Sequence, residues 1–145
     1  SRLPDLGEDR MMESAATRPG ETRSRVALSD DAVALLRRLR LRHGPLMFHQ
    51  SGGCCDGSSP MCYPAGEFLT SAADVLLGVF DLAGPGEPTQ PLEFWMSAEQ
   101  FAYWSHTKLL VDVVPGRGSG FSVEAPEGVR FLIRSELMDS VEPFA

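Results

Sequence analysis

No apolar run in the sequence approaches the roughly 20 residues a helix needs to span a bilayer, and the first residues lack the apolar segment of a signal peptide. Cations are also in short supply: 13 Lys and Arg stand against 20 Asp and Glu, a formal net charge of −7. That deficit argues against non-specific nucleic-acid binding, which needs Lys and Arg to displace phosphate counterions. It argues equally against docking on anionic membranes. Cysteine is scarce, with three residues in all, and a chain of 145 residues buries a sizeable core without disulfide staples. What remains is the expectation of one acidic, cytoplasmic domain of ordinary globular composition.

Residues 1–25 stand apart. They hold five Arg, five acids, Pro4 and Pro19, few apolar residues and no periodicity. Such a segment buries too little surface to offset its ordering entropy, so the expectation is a disordered arm, with Met11-Met12 as an alternative native start and residues 1–10 then an artificial addition without meaning. The folded domain is then expected over 26–145, and it carries the whole net charge, 8 − 15 = −7.

Ser29 reads as a helix N-cap, with Asp30 and Asp31 on the first-turn dipole. Ala32, Leu35, Leu36 and Leu39 follow at helical spacing, and Gly44-Pro45 stops the helix. Arg37, Arg38, Arg40 and Arg42 read as a solvated face with cations at the negative dipole end. Leu46 to Gln50 reads as a strand. Ser51 to Pro64 has almost no element-forming preference, and a loop of fourteen residues inside a domain is usually functional. Strands are expected over Val75–Leu82, Leu92–Met96, Lys108–Val114, Phe121–Glu124 and Val129–Ile133. Ser97 and Gln100 have capping-box spacing and open a short helix carrying Phe101, Tyr103 and Trp104. Phe94, Trp95 and those three aromatics are expected in the core. Connections this short do not allow repeated crossover helices, so the order of elements predicts an α+β domain with a mixed or antiparallel sheet and two short helices.

The three cysteines, Cys54, Cys55 and Cys62, fall within nine residues of the Gly- and Ser-rich stretch. Clustering of this kind points to metal or redox chemistry rather than a disulfide framework. The spacing is not the paired Cys-x-x-Cys of a structural zinc site, and His49 or Asp56, or a subunit interface, would complete a ligand set of four. Gly52 and Gly53 let the backbone turn sharply and offer amides to a thiolate or a cluster sulfide. Amides of that kind lower a thiol pKa and favour thiolate, the ligating and nucleophilic form. The competing reading is that the cysteines are small buried hydrophobes. His43 and His106, at helix ends, read as structural. Gly116-Arg117-Gly118-Ser119-Gly120 reads as a glycine-rich hairpin in which Arg117 would suit an anion, and it is not a Walker sequence. Gly57-Ser58-Ser59-Pro60 does not match the nucleophile elbow of a serine hydrolase.

Two resemblances follow from these strings. Gly44 to Phe48, Gln50 to Cys62, and His106-Thr107 through Asp112 to Gly118 are similar to an uncharacterised bacterial family, domain of unknown function 779, over about Val26 to Arg134. Its members are often encoded beside an NAD-dependent aldehyde dehydrogenase, which implies an accessory role and an aldehyde dehydrogenase partner. More faintly, Gly52-Gly53-Cys54 after the first long strand and Gly118 to Pro126 resemble HesB/IscA-type iron–sulfur carriers. That resemblance implies a compact sandwich-like α+β fold and a homo-oligomer holding iron or an iron–sulfur cluster, with Cys54 as a ligand. The carriers have a Cys-x-Cys pair near the C-terminus, and here no cysteine follows Cys62. Cys55 and Cys62 would take that pair's place, or the ligand set is mixed.

The leading expectation is therefore a metal-binding accessory protein with Cys54, Cys55, Cys62, His49 and Asp56 as candidate ligands. The metal would be iron, an iron–sulfur cluster, zinc or copper. The alternatives are a thiol-based redox or aldehyde-reactive protein using the vicinal cysteines, and a metal-free binding subunit whose cysteines are core.

Overall fold

Ser29 accepts a hydrogen bond from the Ala32 amide at 3.1 Å and opens helix α1 (Asp30–His43). Asp30 and Asp31 lie in its first turn and Arg40, Arg42 and His43 in its last, each on the side of the helix dipole that favours its charge. Gly44 ends the helix at φ 79°, a backbone region that glycine enters without strain. This geometry comes from a computed structural model, which describes residues 11–17, 20–21, 23–50, 58–67, 70–116 and 122–137.

Around α1 the chain forms eight strands: β1 (Met12–Glu13), β2 (Val26–Leu28), β3 (Leu46–Gln50), β4 (Met61–Pro64), β5 (Asp74–Asp81), β6 (Pro91–Ser97), β7 (Thr107–Pro115) and β8 (Val129–Leu137). Helix α2 (Ala98–Trp104) lies between β6 and β7, and a 3₁₀ turn (Ala125–Glu127) precedes β8. The strands make two four-stranded sheets in the orders β1-β2-β7-β8 and β4-β3-β6-β5. Both sheets are mixed, because β2 runs parallel to β7 and β3 parallel to β6 while the other pairings are antiparallel. The fold is α+β, as the order of elements predicted.

Alternation along the strands brings one face of each sheet into a common core. Val26, Leu28, Leu109, Val111, Phe131 and Ile133 come from the first sheet, and Leu46, Phe48, Phe80, Leu92, Phe94 and Met96 from the second. Phe48 joins the two layers, with its ring centroid 5.3 Å from Phe94 in its own sheet and 4.9 Å, edge-on, from Phe131 in the other. Ala32, Val33, Leu35, Leu36 and Leu39 of α1 complete the same core. Isolated links tie the sheets along both sides without closing a barrel. Ala15 N donates to Val79 O at 2.9 Å on one side, and Ile133 N to Ser58 O at 2.8 Å on the other. Among the described residues no helix is long and apolar enough to cross a membrane.

The strands read from apolar runs are present, and four expectations are corrected. Within the supposed disordered arm, Met12–Glu13 pairs with β2, and Ser14 packs so closely on Gly78 that a side chain there would collide with its hydroxyl. Arg25 is held by Glu21 at 2.7 and 2.8 Å and lies over the Phe101 ring. Residues 1–10 lie outside the described residues. The supposed fourteen-residue loop ends early, because Met61–Pro64 pairs antiparallel with β3 and sets Cys62 opposite Phe48. Ser122–Glu124 is a turn rather than a strand, because it leads into a 3₁₀ turn that starts at Ala125, holds Pro126 and is ended by Gly128 at φ 77°. Of the expected core aromatics, Phe94 and Trp104 are buried, but Tyr103 is 71% exposed. Ser97 caps α2 as read, although the Gln100 side chain accepts from Trp104 Nε1.

Candidate functional site

His49 is the fourth residue of β3, between Met61 of β4 and Trp95 of β6, on the face opposite the Phe48 core. An imidazole buried there needs a polar partner. It finds one in Asp74, whose Oδ1 lies 2.7 Å from His49 Nε2, with side-chain exposures of 3% and 11%. Asp74 reaches this position because β4 and β5 are the two edges of their sheet. The connection between them passes from one edge to the other and enters β5 at Asp74. Its second oxygen accepts the Ser71 amide at 2.9 Å. The His49 hydrogen bond holds the Asp74 carboxyl below its ordinary range, burial opposes this, and the Ser71 amide adds to the lowering.

β3 runs from His49 and Gln50 directly into the segment with both adjacent cysteines. At the far end of that segment the chain is pinned to β8: Ser58 O accepts from Ile133 N, and Ser59 Oγ accepts from Arg130 Nη1 at 2.7 Å. Gln50, on the core face, donates from Nε2 to Ser58 Oγ at 3.4 Å and joins the two anchors. The sequence between therefore leaves and re-enters the fold at neighbouring points, and the His49–Asp74 pair stands at one of them. Gly52, Gly53, Cys54, Cys55 and Asp56 lie outside the described residues, as does Arg117.

Cys62 is somewhere else. It is completely buried in β4 within the hydrophobic core, not in an open loop. Its amide donates to Ser122 Oγ at 2.9 Å, and its carbonyl accepts from Val123 N at 3.0 Å. The Ser122 hydroxyl donates in turn to Glu124 Oε1, and Glu124 Oε2 accepts the Phe131 amide at 3.5 Å. Glu124 is itself completely buried, and burial raises its pKa. The thiol of Cys62 is pushed well up by burial first and by the Glu124 charge second. A ligating or nucleophilic thiol needs the opposite surroundings, so Cys62 behaves as a small core hydrophobe and does not fit a ligand role. Among the described residues no group of three or more His, Cys, Asp and Glu could hold a metal ion.

Asp74, Ser71, Ser122 and Glu124 were not singled out from the sequence. The first two are far from His49 along the chain and carry no spacing signal. Pro126 and Gly128 were the available signals that the segment holding Ser122 and Glu124 turns instead of extending. His43 is exposed at the end of α1, and His106 is exposed just after α2.

A family model described as domain of unknown function (DUF779) fits residues 35–137, well over half of the chain. No curated protein and no solved structure matches it. The matched span begins in α1, includes His49, Cys62 and Asp74, and ends with β8. The chain belongs to the DUF779 family.

Proposed function

We propose that this protein is a small metal-binding accessory protein whose ligands come from the segment that follows β3. The thiolates of Cys54 and Cys55, the His49 imidazole and the Asp56 carboxylate form the ligand set, and Cys62 is not part of it. The observation that carries this reading is the buried His49–Asp74 pair at the root of the cysteine segment. A ligating histidine characteristically bonds a carboxylate through its other ring nitrogen, which fixes its tautomer and orientation and raises its basicity. Two thiolates with an imidazole select soft or borderline metals, so iron, an iron–sulfur cluster, zinc or copper suits the set, and calcium or magnesium does not. Gly52 and Gly53 supply the backbone freedom to bring adjacent cysteines to one ion.

The family resemblance supports a partner. Genes of this kind often lie beside an NAD-dependent aldehyde dehydrogenase, and the proposed role is to assemble with that enzyme or to serve its metal or redox state. A homo-oligomer in which a second copy adds ligands is part of the same proposal.

Metal analysis of anaerobically purified protein tests it, with the wild type beside the double variant Cys54→Ser/Cys55→Ser. The wild type retains a stoichiometric soft metal and the double variant loses it. Equal metal content in the two overturns the proposal. Pull-down of tagged protein from its native cell extract tests the partner, with aldehyde dehydrogenase expected in the eluate.

A further inference from the structure

The outer face of the second sheet borders a groove of about 450 Å³ that shares no residue with the proposed ligand set. Glu93 and Trp95 stand two residues apart on β6, so both project from the face opposite the Phe48–Phe94 core. Ala65, in the connection after β4, lines the groove beside them, and its amide is tied to Pro45 O at 2.8 Å. Pro45, just before β3, and Pro91, at the start of β6, add two further apolar walls. These residues present surface to a ligand: Trp95 is half-buried, and Pro45, Ala65, Pro91 and Glu93 are exposed. Trp95 Nε1 donates to Glu93 Oε1 at 2.8 Å. That bond uses the one polar group of the indole and holds the ring beside the carboxylate. Among the described residues no donor is bonded to Glu93 Oε2, which keeps its capacity to accept.

The geometry points to a binding site for a small primary ammonium ion with an apolar body, held by the Glu93 carboxylate and covered on one side by the Trp95 indole. Three features choose this class. Glu93 is the one ionisable side chain among the described residues that line the groove, so the site attracts a cation and repels an anion. The formal net charge of −7 acts in the same direction. A hard metal ion needs several oxygen ligands at once, and a single carboxylate among apolar walls does not supply them. An ammonium group donates N–H to Oε2 as a charge-assisted hydrogen bond. Its apolar body then removes the indole and the two prolines from water. The volume is within the range of small-molecule pockets. No covalent step is involved.

Isothermal titration of the full chain at neutral pH with benzylammonium, beside benzyl alcohol and benzoate, tests the assignment. Benzylammonium binds saturably, the neutral alcohol binds about tenfold more weakly, and benzoate is weaker still. Glu93→Gln keeps an oxygen for Trp95 Nε1 and removes the charge, and it weakens benzylammonium by about tenfold, the lower end for a hydrogen bond to a charged group because Glu93 is exposed. Trp95→Ala also weakens it, by removing the apolar wall. Circular dichroism confirms that the variants fold, and the comparison of ammonium with alcohol needs no variant at all. Equal affinity for ammonium and alcohol, tighter binding of benzoate, no saturable ammonium binding, or a Glu93→Gln protein that binds as the wild type does would each overturn it.

Discussion

Two polar clusters meet the second sheet on its opposite faces, and their partners rather than burial set them apart, since burial raises the carboxyl in both. In one, His49 and Asp74 face each other across a strand of their sheet, and the carboxyl is held below its ordinary range by its partner. In the other, Cys62, Ser122 and Glu124 are sealed in the core, and burial drives both the thiol and the carboxyl upward. β3 separates them, because consecutive residues of a strand point to opposite faces: Phe48 turns inward onto Cys62's side and His49 turns away. His49 and Cys62, two of the residues that suggested one chemical centre, therefore lie on opposite faces of the sheet. Proximity in sequence did not predict proximity in space, since a shift of one residue along a strand changes the face and the partners.

The largest effect is expected at the ring between the clusters. Phe48→Ala removes the contact that joins the sheets and costs about 3–5 kcal/mol of stability, read from chemical denaturation. A loss below about 1 kcal/mol would mean that the two layers do not share one core.

His49→Ala strikes the other face. It leaves the nearly buried Asp74 without its main partner and costs about 1–3 kcal/mol. The pH dependence has a definite sign. Asp74 has a depressed folded value, so its contribution is present above its unfolded value of about 3.9 and is lost as pH falls through the folded value. The wild type therefore loses stability on the acid side of about pH 4 more steeply than His49→Ala. Parallel acid limbs in the two proteins would remove the His49 hydrogen bond as the cause.

Glu124→Gln probes the sealed cluster in the reverse direction. Its folded value is raised, so its contribution is present below its unfolded value of about 4.3 and is lost as pH rises through the folded value. The amide keeps an oxygen for the Ser122 hydroxyl and removes the buried charge. The variant is expected to be more stable than the wild type at neutral pH by about 1 kcal/mol, and the advantage should vanish in acid. A variant that is less stable at neutral pH would show that the ionised carboxylate is well compensated. The smallest effect belongs to Cys62→Val, a swap of similar volume in a packed core, at less than about 1.5 kcal/mol.

These clusters also show how far the sequence could be read. β3, β5, β6 and β7 were legible because their apolar runs bury against both layers, and α1 because Ser29, the two aspartates and Gly44 mark its ends. β4 was not legible. Met61-Cys62-Tyr63-Pro64 ends in proline and follows a glycine- and serine-rich stretch, and only pairing with β3 makes it a strand. Its pairing in turn moves Cys62 from an open loop to the core. Phe121 to Glu124 alternates as a strand does, but Pro126 commits the chain to a 3₁₀ turn, and Glu124 is buried by that turn. The arm was misread for a similar reason: local composition is poor, while Met12 and Ala15 gain their order from β2 and β5 far along the chain. His49 could be placed beside the cysteine segment from sequence alone. Its partner Asp74 arrives by a connection across the sheet, which no local pattern reports.

The central claim is that function belongs to the face of His49 and the segment after it, while the Cys62 interior only holds the fold together. Metal content of two folded variants, Cys62→Val and His49→Gln, purified anaerobically beside the wild type, tests it most directly. The account predicts wild-type metal in Cys62→Val and a clear loss in His49→Gln. Metal lost from Cys62→Val and kept by His49→Gln would contradict it.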